Sequence, residues 1–477
     1  MAKPRATLGI DLHIEPAGPG LRRGLTDALR EAVRTGRLAP GTRLPSSRSL
    51  AADLGIARNT VAESYADLVA EGWLTARQGS GTRVADRPVP PPPDRRSPHH
   101  REPGRAAHNL VPGTPDLASF PRAEWLKATR RALTAAPNDA LGYGDPRGRI
   151  ELRTALADYL SRARGVRADP DRILVCPGFA HGLKLLAEVL HTRGLRTLAV
   201  ESYGLDVHWN LVERTGLRTV PLPFDAHGTL PGALDSPRER AAEGSLSDDL
   251  AAARAVLLTP AHQFPMGVAL HPARRAAVVD WARRTGGLIL EDDYDGEFRY
   301  DRQPVGALQN LDPDHVVYLG TASKSLAPGL RLAWMVLPPS LVPDVMRHAG
   351  SSATGVLEQL TLAEFLTSGA YDRHVRAARL RYRRRRDDLV AALAEHAPDV
   401  RATGIAAGLH AVLQLPPGTE QPVVRAANWQ GVAVHGLSRY RHPAAEAQPP
   451  DALVVGYGTP PDHAWTGTLD ALCRALP

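Results

Sequence analysis

Residues 86–108 separate the chain into two parts that must fold on their own. The segment reads DRPVPPPPDRRSPHHREPGRAAH and combines a proline run with charged residues and almost no apolar side chains, so it cannot contribute to a hydrophobic core. A chain of 477 residues is also too long for a single core. The sequence therefore predicts a compact unit over residues 1–85, a semi-rigid linker over 86–108 and a long unit over 109–477.

The composition excludes several classes of protein. No apolar stretch approaches the roughly 18 residues needed to cross a bilayer, and the N-terminal MAKPRATLGIDLHIE has no apolar core of the kind found in a secretory signal. The two cysteines, Cys176 and Cys473, cannot form a disulfide framework and lack metal-ligand spacing. We expect a cytoplasmic protein with no membrane segment and no metal site.

Positive charge is concentrated near the N-terminus. Residues 1–85 hold 12 Lys/Arg and 8 Asp/Glu, residues 86–108 hold 5 and 3, and the remaining residues contribute only +1 to the net charge of +7. Such a distribution favours a nucleic-acid-binding module joined to a nearly neutral body.

Three helices are predicted in the first unit. Apolar residues in Gly20–Thr35 fall on one face of a helix. A short second helix has Ser46 or Ser47 available as its N-cap and Gly55 at its end. After a brief turn, Arg58–Glu71 forms a third, amphipathic helix. Two helices joined by so short a turn are typical of a helix-turn-helix, in which the start of the second helix meets base edges and phosphates.

A β-hairpin is predicted to follow, with strands at Trp73–Leu74 and Thr82–Val84 joined by a glycine-rich turn. The runs P-G-x-x-L-P-S-S-R-x-L-A, R-N-T-V and E-G-W-L…G-S-G-T closely resemble the GntR family of bacterial regulators, and the resemblance covers nearly all of residues 20–85. It implies a winged helix-turn-helix that contacts DNA through Ser47, Arg48, Arg58, Asn59, Thr60, Gly79, Gly81 and Thr82.

Ala57 departs from this family, which commonly has a serine that caps the recognition helix. One capping hydrogen bond is therefore expected to be missing. The alternative interpretation of the unit is a helical protein-interaction module with solvated arginines.

The second unit alternates apolar runs with helical patterns. Such alternation is typical of a largely parallel sheet covered by helices, and the runs are Ile173–Cys176, Thr197–Val200, Ala255–Thr259, Gly287–Glu291 and Val316–Leu319. From about residue 341 the pattern becomes helix-rich, with short strands predicted near 409–415, 432–435 and 453–457. The predicted fold class is α/β, with a mostly parallel sheet and a smaller α+β lobe.

A lysine among small and hydroxyl residues follows one of these strands. Lys324 lies in G-T-A-S-K-S-L-A-P-G-L-R, directly after the run that ends at Leu319, a placement that suits a Schiff base. Arg331, at the end of the same motif, can bind a phosphate. Asp292 and Tyr294 follow the preceding strand and suit the ring nitrogen and the phenolic oxygen of pyridoxal phosphate. These residues predict a pyridoxal 5'-phosphate site.

The phosphate of that cofactor also needs amide donors at the start of a helix. Gly178, Phe179 and Ala180 lie between a strand and a helix and can supply them.

In this order, these elements resemble the fold-type I aminotransferases from about Asn109 to the C-terminus. Together with the N-terminal module, the runs H-Q-F-P and E-D-D-Y-D resemble the MocR-type regulators. The resemblance implies that Lys324 carries pyridoxal phosphate, with Ser323 beside it, Asp292 on the ring nitrogen, Tyr294 on the phenolic oxygen and Arg331 on the phosphate.

The same resemblance implies a homodimer with two-fold symmetry, in which Tyr143 reaches the cofactor phosphate of the neighbouring subunit. It also places His262 and Gln263 in the lining of the pocket. Alternatively, these two side chains satisfy buried backbone groups.

Two positions depart from the aminotransferase pattern. Where the family usually reads E-D-P-G-Y, this chain has Glu201-Ser202-Tyr203-Gly204-Leu205, so the residue that stacks on the cofactor ring is Tyr203, which we favour, or Leu205. The last strand, at 453–457, lacks the arginine that usually binds the substrate carboxylate. Arg439 is the candidate replacement as an effector-binding residue, with Arg441 as the second candidate.

These features predict a pyridoxal-phosphate-dependent transcription regulator that senses a small amine, an amino acid or a vitamin B6 vitamer. Operator DNA, the effector and a second copy of the chain are the expected partners. Because the last strand lacks a carboxylate-binding arginine, weak or no transaminase activity is expected. The alternatives are a catalytically active aminotransferase with a DNA-binding module, and a relic that has lost its cofactor.

Overall fold

The computed structural model describes residues 20–77, 81–86, 106–235, 246–300, 305–350 and 354–477. The chain divides into two compact units, Met1–Arg105 and Ala106–Pro477, so the division falls within the segment predicted as a linker. Each unit has buried apolar residues of its own.

The described residues of the first unit form three helices and a hairpin. They are α1 (Leu21–Arg34), α2 (Ser47–Leu54), α3 (Arg58–Ala70), β1 (Leu74–Arg77) and β2 (Gly81–Val84), with the two strands antiparallel. Leu25 and Leu29 of α1 pack in one core with Val61 and Leu68 of α3 and with Leu74 of the hairpin. The predicted helix-turn-helix and wing are confirmed.

The ends of α2 and α3 differ in how they are capped. The Ser46 hydroxyl accepts a hydrogen bond from the backbone N–H of Ser49 at 3.1 Å, and Gly55 ends α2 in the left-handed region with φ 67°. Helix α3 follows Ala57, whose side chain offers no capping oxygen. The recognition helix therefore begins without the hydrogen bond that α2 has, as the sequence predicts.

The second unit contains eleven helices and fifteen strands among the residues that the structure describes. In chain order the helices are α4 (Arg122–Ala135), α5 (Ile150–Arg164), α6 (Phe179–Thr192), α7 (Asp206–Glu213), α8 (Leu246–Ala252), α9 (Pro272–Thr285), α10 (Val342–Ala349), α11 (Val356–Thr367), α12 (Ala370–His396), α13 (Glu420–Trp429) and α14 (Trp465–Cys473). The strands are β3 (His108–Asn109), β4 (Ile173–Cys176), β5 (Thr197–Glu201), β6 (Arg218–Leu222), β7 (Phe224–Asp225), β8 (Gly228–Thr229), β9 (Ala255–Leu258), β10 (Leu288–Asp293), β11 (Val316–Thr321), β12 (Ala333–Val336), β13 (Arg401–Thr403), β14 (Ala411–Gln414), β15 (Val432–Ala433), β16 (His435–Gly436) and β17 (Ala452–Val455).

A seven-stranded sheet with the order β4-β12-β11-β10-β9-β5-β6 is the centre of this unit. Only β12 runs against its neighbours. Helices cover both faces of this sheet, and successive residues of β10 point to opposite faces. Ile289 packs in one core with Trp281 of α9, and Leu290 packs in another with Leu186 of α6. The predicted mostly parallel α/β sheet is confirmed.

A smaller lobe follows, built on the antiparallel sheet β13-β14-β17-β16. The strand expected near 432–435 is two short strands that join different sheets. Val432–Ala433 pairs in parallel with His108–Asn109, whereas His435–Gly436 pairs with β17. The last residue of the predicted linker, His108, thus lies in a strand, because its N–H donates to the Gly431 carbonyl at 3.1 Å.

None of the helices within the described ranges is both long enough and apolar enough to cross a membrane.

Candidate functional site

A cavity of about 290 Å³ lies where β5, β9, β10 and β11 end in the second unit. Parallel strands end at the same edge of a sheet, which is where ligand sites form. The cavity is lined by eight of the residues predicted to bind the cofactor, namely Phe179, Ala180, Tyr203, Asp292, Tyr294, Ser323, Lys324 and Arg331. The topology therefore brings together side chains that are far apart in the sequence.

Lys324 is enclosed in this cavity. Its ammonium group donates a hydrogen bond to the carbonyl of Gly113, near the start of the second unit. Burial lowers the pKa of the Lys324 ammonium, while the carboxylates of Asp292 and Asp295 oppose this shift. A lower pKa increases the fraction of neutral amine, which is the nucleophilic form.

Asp292 presents a buried acceptor to the cavity. Within the described part of the chain, its Oδ1 atom is shielded from solvent and has no hydrogen-bond partner. Burial raises the pKa of the Asp292 carboxyl well above its ordinary value; the charge of Asp293 adds to this shift, and Lys324 opposes it. A buried carboxyl oxygen without a donor in the protein is a position at which a ligand can supply one. A protonated ring nitrogen of pyridoxal phosphate supplies a donor of that kind.

Arg331 and the start of α6 form the end of the cavity that suits an anion. Arg331 adopts the left-handed region with φ 54°, and its Nη2 atom donates to the Pro177 carbonyl at 2.5 Å. Gly178, with φ 101°, precedes α6, whose first backbone N–H groups have no partners within the helix. A guanidinium beside such N–H groups is a phosphate site. The donors and acceptors of the cavity thus fit pyridoxal phosphate at both ends.

Tyr203 and Leu205, the two candidates for stacking on the cofactor ring, both line the cavity. The Tyr203 ring also packs edge-on against Phe224, with 5.9 Å between the ring centroids. Both alternatives therefore remain open.

His208 is a cavity residue that the sequence analysis missed. Its ring lies 4.9 Å from the Phe179 ring, centroid to centroid, and burial lowers the pKa of its imidazole to about 4. Its place in the first turns of α7 is decided by packing, and no local motif identifies it.

Arg164 is a second residue that the sequence analysis missed, and it organises the acidic cluster behind the cavity. Its guanidinium pairs with both carboxylate oxygens of Asp293, at 2.6 Å and 2.9 Å. Arg164, Asp293 and Tyr318 are all buried. Tyr318 donates to the same carboxylate at 2.8 Å. Because residues alternate along a strand, Asp293 faces this pair while Asp292 faces the cavity.

His262 and Gln263 lie behind the cavity and are absent from its described lining. The Gln263 amide donates to the carbonyls of Tyr203 at 3.0 Å and Phe264 at 2.7 Å, and it accepts from the N–H of Met266. Gln263 thus satisfies buried backbone groups, which is the alternative left open above. His262 instead contacts Asp295 and Tyr294.

Three other predicted residues lie outside the described lining of the cavity. Tyr143 is fully exposed, so its side chain is accessible to a neighbouring subunit. Arg439 is exposed and does not line the cavity. Arg441 donates to the carbonyls of Ala445 and Ala447.

In the first unit, the arginines predicted to contact DNA are available for ligands. Arg48 and Arg58 are exposed, and within the described residues neither has an ion-pair or hydrogen-bond partner. By contrast, Arg22, Arg30 and Arg34 of α1 are held by acidic side chains. The remaining predicted contacts, Ser47, Asn59 and Thr60, lie at the starts of α2 and α3.

The tip of the wing carries further predicted contacts. Gly81 has φ 84° and Thr82 follows it in β2, whereas Gly79 falls outside the described residues. Arg43, which the sequence analysis missed, lies so close to Gly81 that a Cβ there would be 3.3 Å from its Nε atom. Arg43 therefore packs against the wing strand at Gly81.

Two family models match the chain. Residues 21–84 match the bacterial regulatory proteins of the gntR family, and residues 109–442 match the class I and II aminotransferases.

Curated relatives share both parts of the chain. The HTH-type pyridoxine biosynthesis transcriptional regulator PdxR of Corynebacterium glutamicum is 33% identical over 87% of this chain and 88% of its own length. The probable rhizopine catabolism regulatory protein MocR of Rhizobium meliloti is 32% identical over 92% and 90%. Among solved structures, an archaeal alanine:glyoxylate aminotransferase superposes with a TM-score of 0.68 at 23% identity, over 77% of this chain and 90% of the other.

Proposed function

This chain belongs to the GntR family of bacterial regulatory proteins, in its MocR-type branch, and we propose that it senses a small amine through a cofactor on Lys324. Pyridoxal 5'-phosphate is the cofactor that its class I and II aminotransferase domain implies. Residues 1–85 bind operator DNA, and residues 109–477 bind the cofactor and the effector. A regulator of this kind acts in the cytoplasm as a homodimer.

The observation that carries this proposal is the convergence of Lys324, Asp292 and Arg331 on one cavity. Lys324 would hold the aldehyde carbon of the cofactor, Asp292 would accept from its ring nitrogen, and Arg331 with the start of α6 would bind its phosphate. When bound, the cofactor supplies an electrophilic carbon for amines and an electron sink. The remaining residues of the site orient it and exclude water.

Sensing is favoured over catalysis by the charges that the cavity provides. Of the described residues that line the cavity, Lys324 is the only lysine and Arg331 the only arginine. Both are assigned to the cofactor. The residues of β17 are all buried and apolar. Among these described lining residues, the carboxylate of a bound amino acid thus finds no further fixed cation, so the proton transfers of transamination are poorly oriented.

The proposal is tested on the holoprotein with 2-phenylethylamine as the probe. We expect the amine to change both the visible absorbance of the cofactor and the binding of the DNA upstream of the protein's own gene. Lys324→Ala should lose the visible band and the effect of the amine on DNA binding. Lys184→Ala is the matched control, because Lys184 lies on the exposed side of α6 and pairs with Glu188.

Two results would contradict the proposal. One is a Lys324→Ala protein that keeps full visible absorbance and a borohydride-reducible bond. The other is sustained turnover of amino acid to keto acid at enzyme-like rates, which favours the aminotransferase alternative.

The DNA-binding part is tested separately. We expect Arg48→Ala and Arg58→Ala each to weaken DNA binding by about 1–3 kcal/mol if the arginine contacts a base. If it contacts a phosphate instead, the variant should bind DNA with a smaller dependence on salt concentration. Arg34→Ala is the control, because Arg34 is paired with Glu31 on α1. Unchanged DNA binding after deletion of residues 1–85 would contradict the assignment.

A further inference from the structure

Tyr294 is backed by a buried histidine and a buried carboxylate. The Nδ1 atom of His262 lies 2.8 Å from Oδ2 of Asp295 and 3.1 Å from the hydroxyl oxygen of Tyr294. The residues His262 and Asp295 are 3% and 2% exposed. One ring nitrogen therefore meets two oxygens, that of a carboxylate and that of a phenol that lines the cavity.

The backbone at Gly408 is fitted to this pair. Gly408 has φ +70°, and a Cβ atom there would lie 2.2 Å from Cε1 of His262 and 2.5 Å from Oδ2 of Asp295. The hydroxyls of Tyr457, at 2.8 Å, and of Tyr300 donate to the Gly408 carbonyl. The imidazole and the carboxylate are therefore confined to one mutual orientation.

The carboxylate decides which nitrogen of His262 carries the proton. A neutral imidazole has one N–H, and an ionised carboxylate only accepts. Nδ1 therefore carries the proton and donates it to Asp295. A protonated Nδ1 has no lone pair, so the Tyr294 hydroxyl cannot donate to it and can only accept. The acceptors left for the Tyr294 proton are the Asp295 carboxylate, which also forms a hydrogen bond with this hydroxyl, and a ligand in the cavity.

Tyr294 keeps that proton. Burial raises the pKa of its hydroxyl well above the ordinary value, and the charges of Asp295 and Asp292, together with the hydrogen bond to the Asp295 carboxylate, add to the shift. The titratable groups that face it come from several elements: Asp292 from β10, Asp295 from the turn after it, Glu201 from β5, His262 from the loop after β9, Lys324 from the loop after β11, and His410 from the loop before β14.

His410 completes the group without competing for the proton. Its ring lies 5.0 Å from that of His262, and its Nε2 atom donates to the Pro265 carbonyl at 3.0 Å. Burial lowers the pKa of His410 to about 3, so it is neutral. Nδ1 of His262 and Nε2 of His410 are both committed to oxygen acceptors, which makes this cluster a hydrogen-bond network.

We propose that Asp295 and His262 are positioning residues: the His262 N–H occupies the Asp295 carboxylate, which leaves the hydroxyl proton of Tyr294 to be donated into the cavity, to the phenolic oxygen of the cofactor. This inference rests on the proposed function, in which Tyr294 meets that oxygen. Without Asp295, His262 adopts the other tautomer, Nδ1 becomes an acceptor, and the Tyr294 proton turns away from the cavity.

The expected consequence is a change in the pH dependence of the visible absorbance. A donor at the phenolic oxygen withdraws charge from it and weakens its attraction for the proton on the Lys324 nitrogen. Loss of the donor therefore raises the pH midpoint of the absorbance change. One hydrogen bond corresponds to a shift of about 0.5–1 pH unit.

The test compares Asp295→Ala with Asp295→Asn in the holoprotein. Both variants lose the same negative charge, so the direct electrostatic effect on the midpoint cancels between them. Only Asn keeps an oxygen that accepts from Nδ1. We expect the midpoint of Asp295→Ala to lie about 0.5–1 pH unit above that of Asp295→Asn, and the difference to vanish when Tyr294→Phe is added to each.

Two further variants complete the series. His262→Ala leaves the Asp295 carboxylate as the acceptor nearest Tyr294, so its midpoint should rise as that of Tyr294→Phe does; it also serves if Asp295→Ala fails to fold. Glu297→Gln is the matched control, because Glu297 is a buried carboxyl of the same loop that accepts from Tyr371 at 3.1 Å and does not line the cavity. Its midpoint should equal that of the wild type.

The outcomes separate this inference from the proposed function. A wild-type protein that shows no visible absorbance with pyridoxal phosphate overturns both. A visible band with a shift in Tyr294→Phe, but equal midpoints for Asp295→Ala and Asp295→Asn, overturns only the role of the pair. A difference that persists in the Tyr294→Phe background does so as well, because it shows that Asp295 acts without Tyr294.

Discussion

Gly178 and Arg331 are fitted to each other so closely that a Cβ atom on Gly178 would lie 2.7 Å from Nη2 and 2.9 Å from Cζ of Arg331. Gly178 also has φ 101°, a backbone conformation that residues other than glycine rarely adopt. The arginine therefore reaches the start of α6 only because residue 178 has no side chain.

Gly178→Ala should weaken the binding of pyridoxal phosphate by about 10-fold or more, since backbone strain of this kind costs about 1–3 kcal/mol and Arg331 must also move. Titration of the apoprotein with pyridoxal phosphate measures this. Gly165→Ala is the control, because Gly165 has φ +70° at the end of α5 with no atom within 4 Å of the added Cβ. Equal losses of cofactor affinity in the two variants would show that the contact with Arg331 is irrelevant.

The ion pair between Arg164 and Asp293 should be important for the stability of the second unit. Arg164→Met leaves a buried carboxylate without its partner, which should lower the free energy of unfolding by about 3–5 kcal/mol. The double variant Arg164→Met, Asp293→Asn should recover part of the loss. Urea unfolding followed by circular dichroism measures both.

Arg162→Ala, on the same helix, is the control for that experiment. Its ion pair with Asp372 is largely exposed on the arginine side, so the loss should be below about 1 kcal/mol. A comparable loss in Arg162→Ala would contradict the importance of burial.

Glu297 should make the stability of the protein depend on pH. Burial raises the pKa of its carboxyl to about 7, above the ordinary value of 4.5. The folded state therefore holds this proton more tightly than the unfolded state, and the contribution is lost as the pH rises from about 4.5 to 7. Glu297→Gln carries no such proton, so its stability relative to the wild type should increase between pH 5 and pH 8, by at most about 3 kcal/mol. A difference that does not change with pH would contradict the raised pKa.

The uncapped start of the recognition helix should respond to a single substitution. Ala57→Ser supplies the missing oxygen and should stabilise the first unit by about 0.5–2 kcal/mol, whereas Ser46→Ala removes the cap of α2 and should destabilise it by a similar amount. Thermal unfolding of the full chain measures both shifts. If Ala57→Ser lowered the melting temperature, the backbone at this position would be unsuited to a cap.

Arg439 should not bind the carboxylate of an effector, because it is exposed and lies outside the described lining of the cavity. We expect 2-phenylethylamine and phenylalanine to perturb the cofactor absorbance at similar concentrations in both the wild type and Arg439→Ala. If Arg439 does bind the effector carboxylate, as the sequence suggested, Arg439→Ala should weaken the binding of phenylalanine by about 10-fold or more. The binding of 2-phenylethylamine should then be unchanged.

Local sequence determined where many helices and strands of this protein begin and end. The end of α2 at Gly55, the bare N-terminus of α3 after Ala57, and the strands that precede Asp292 and Lys324 all depend on residues within a few positions of one another. Capping, helix periodicity and strand alternation act over such distances. Once strands are parallel, their ends share one edge, so the meeting of Asp292 with Lys324 also followed from the sequence.

Only the tertiary structure decided which side chains stand behind the cavity. Arg164 and Asp293 are 129 positions apart, and His262 and Asp295 are 33 apart. No local pattern distinguishes these residues from the many other arginines and histidines, because their partners are set by where separate loops converge after folding. For the same reason His262 and Gln263 lie behind the cavity and Arg439 lies at the surface: a motif specifies the types of residue present, but the packing of distant elements sets the direction in which each side chain points.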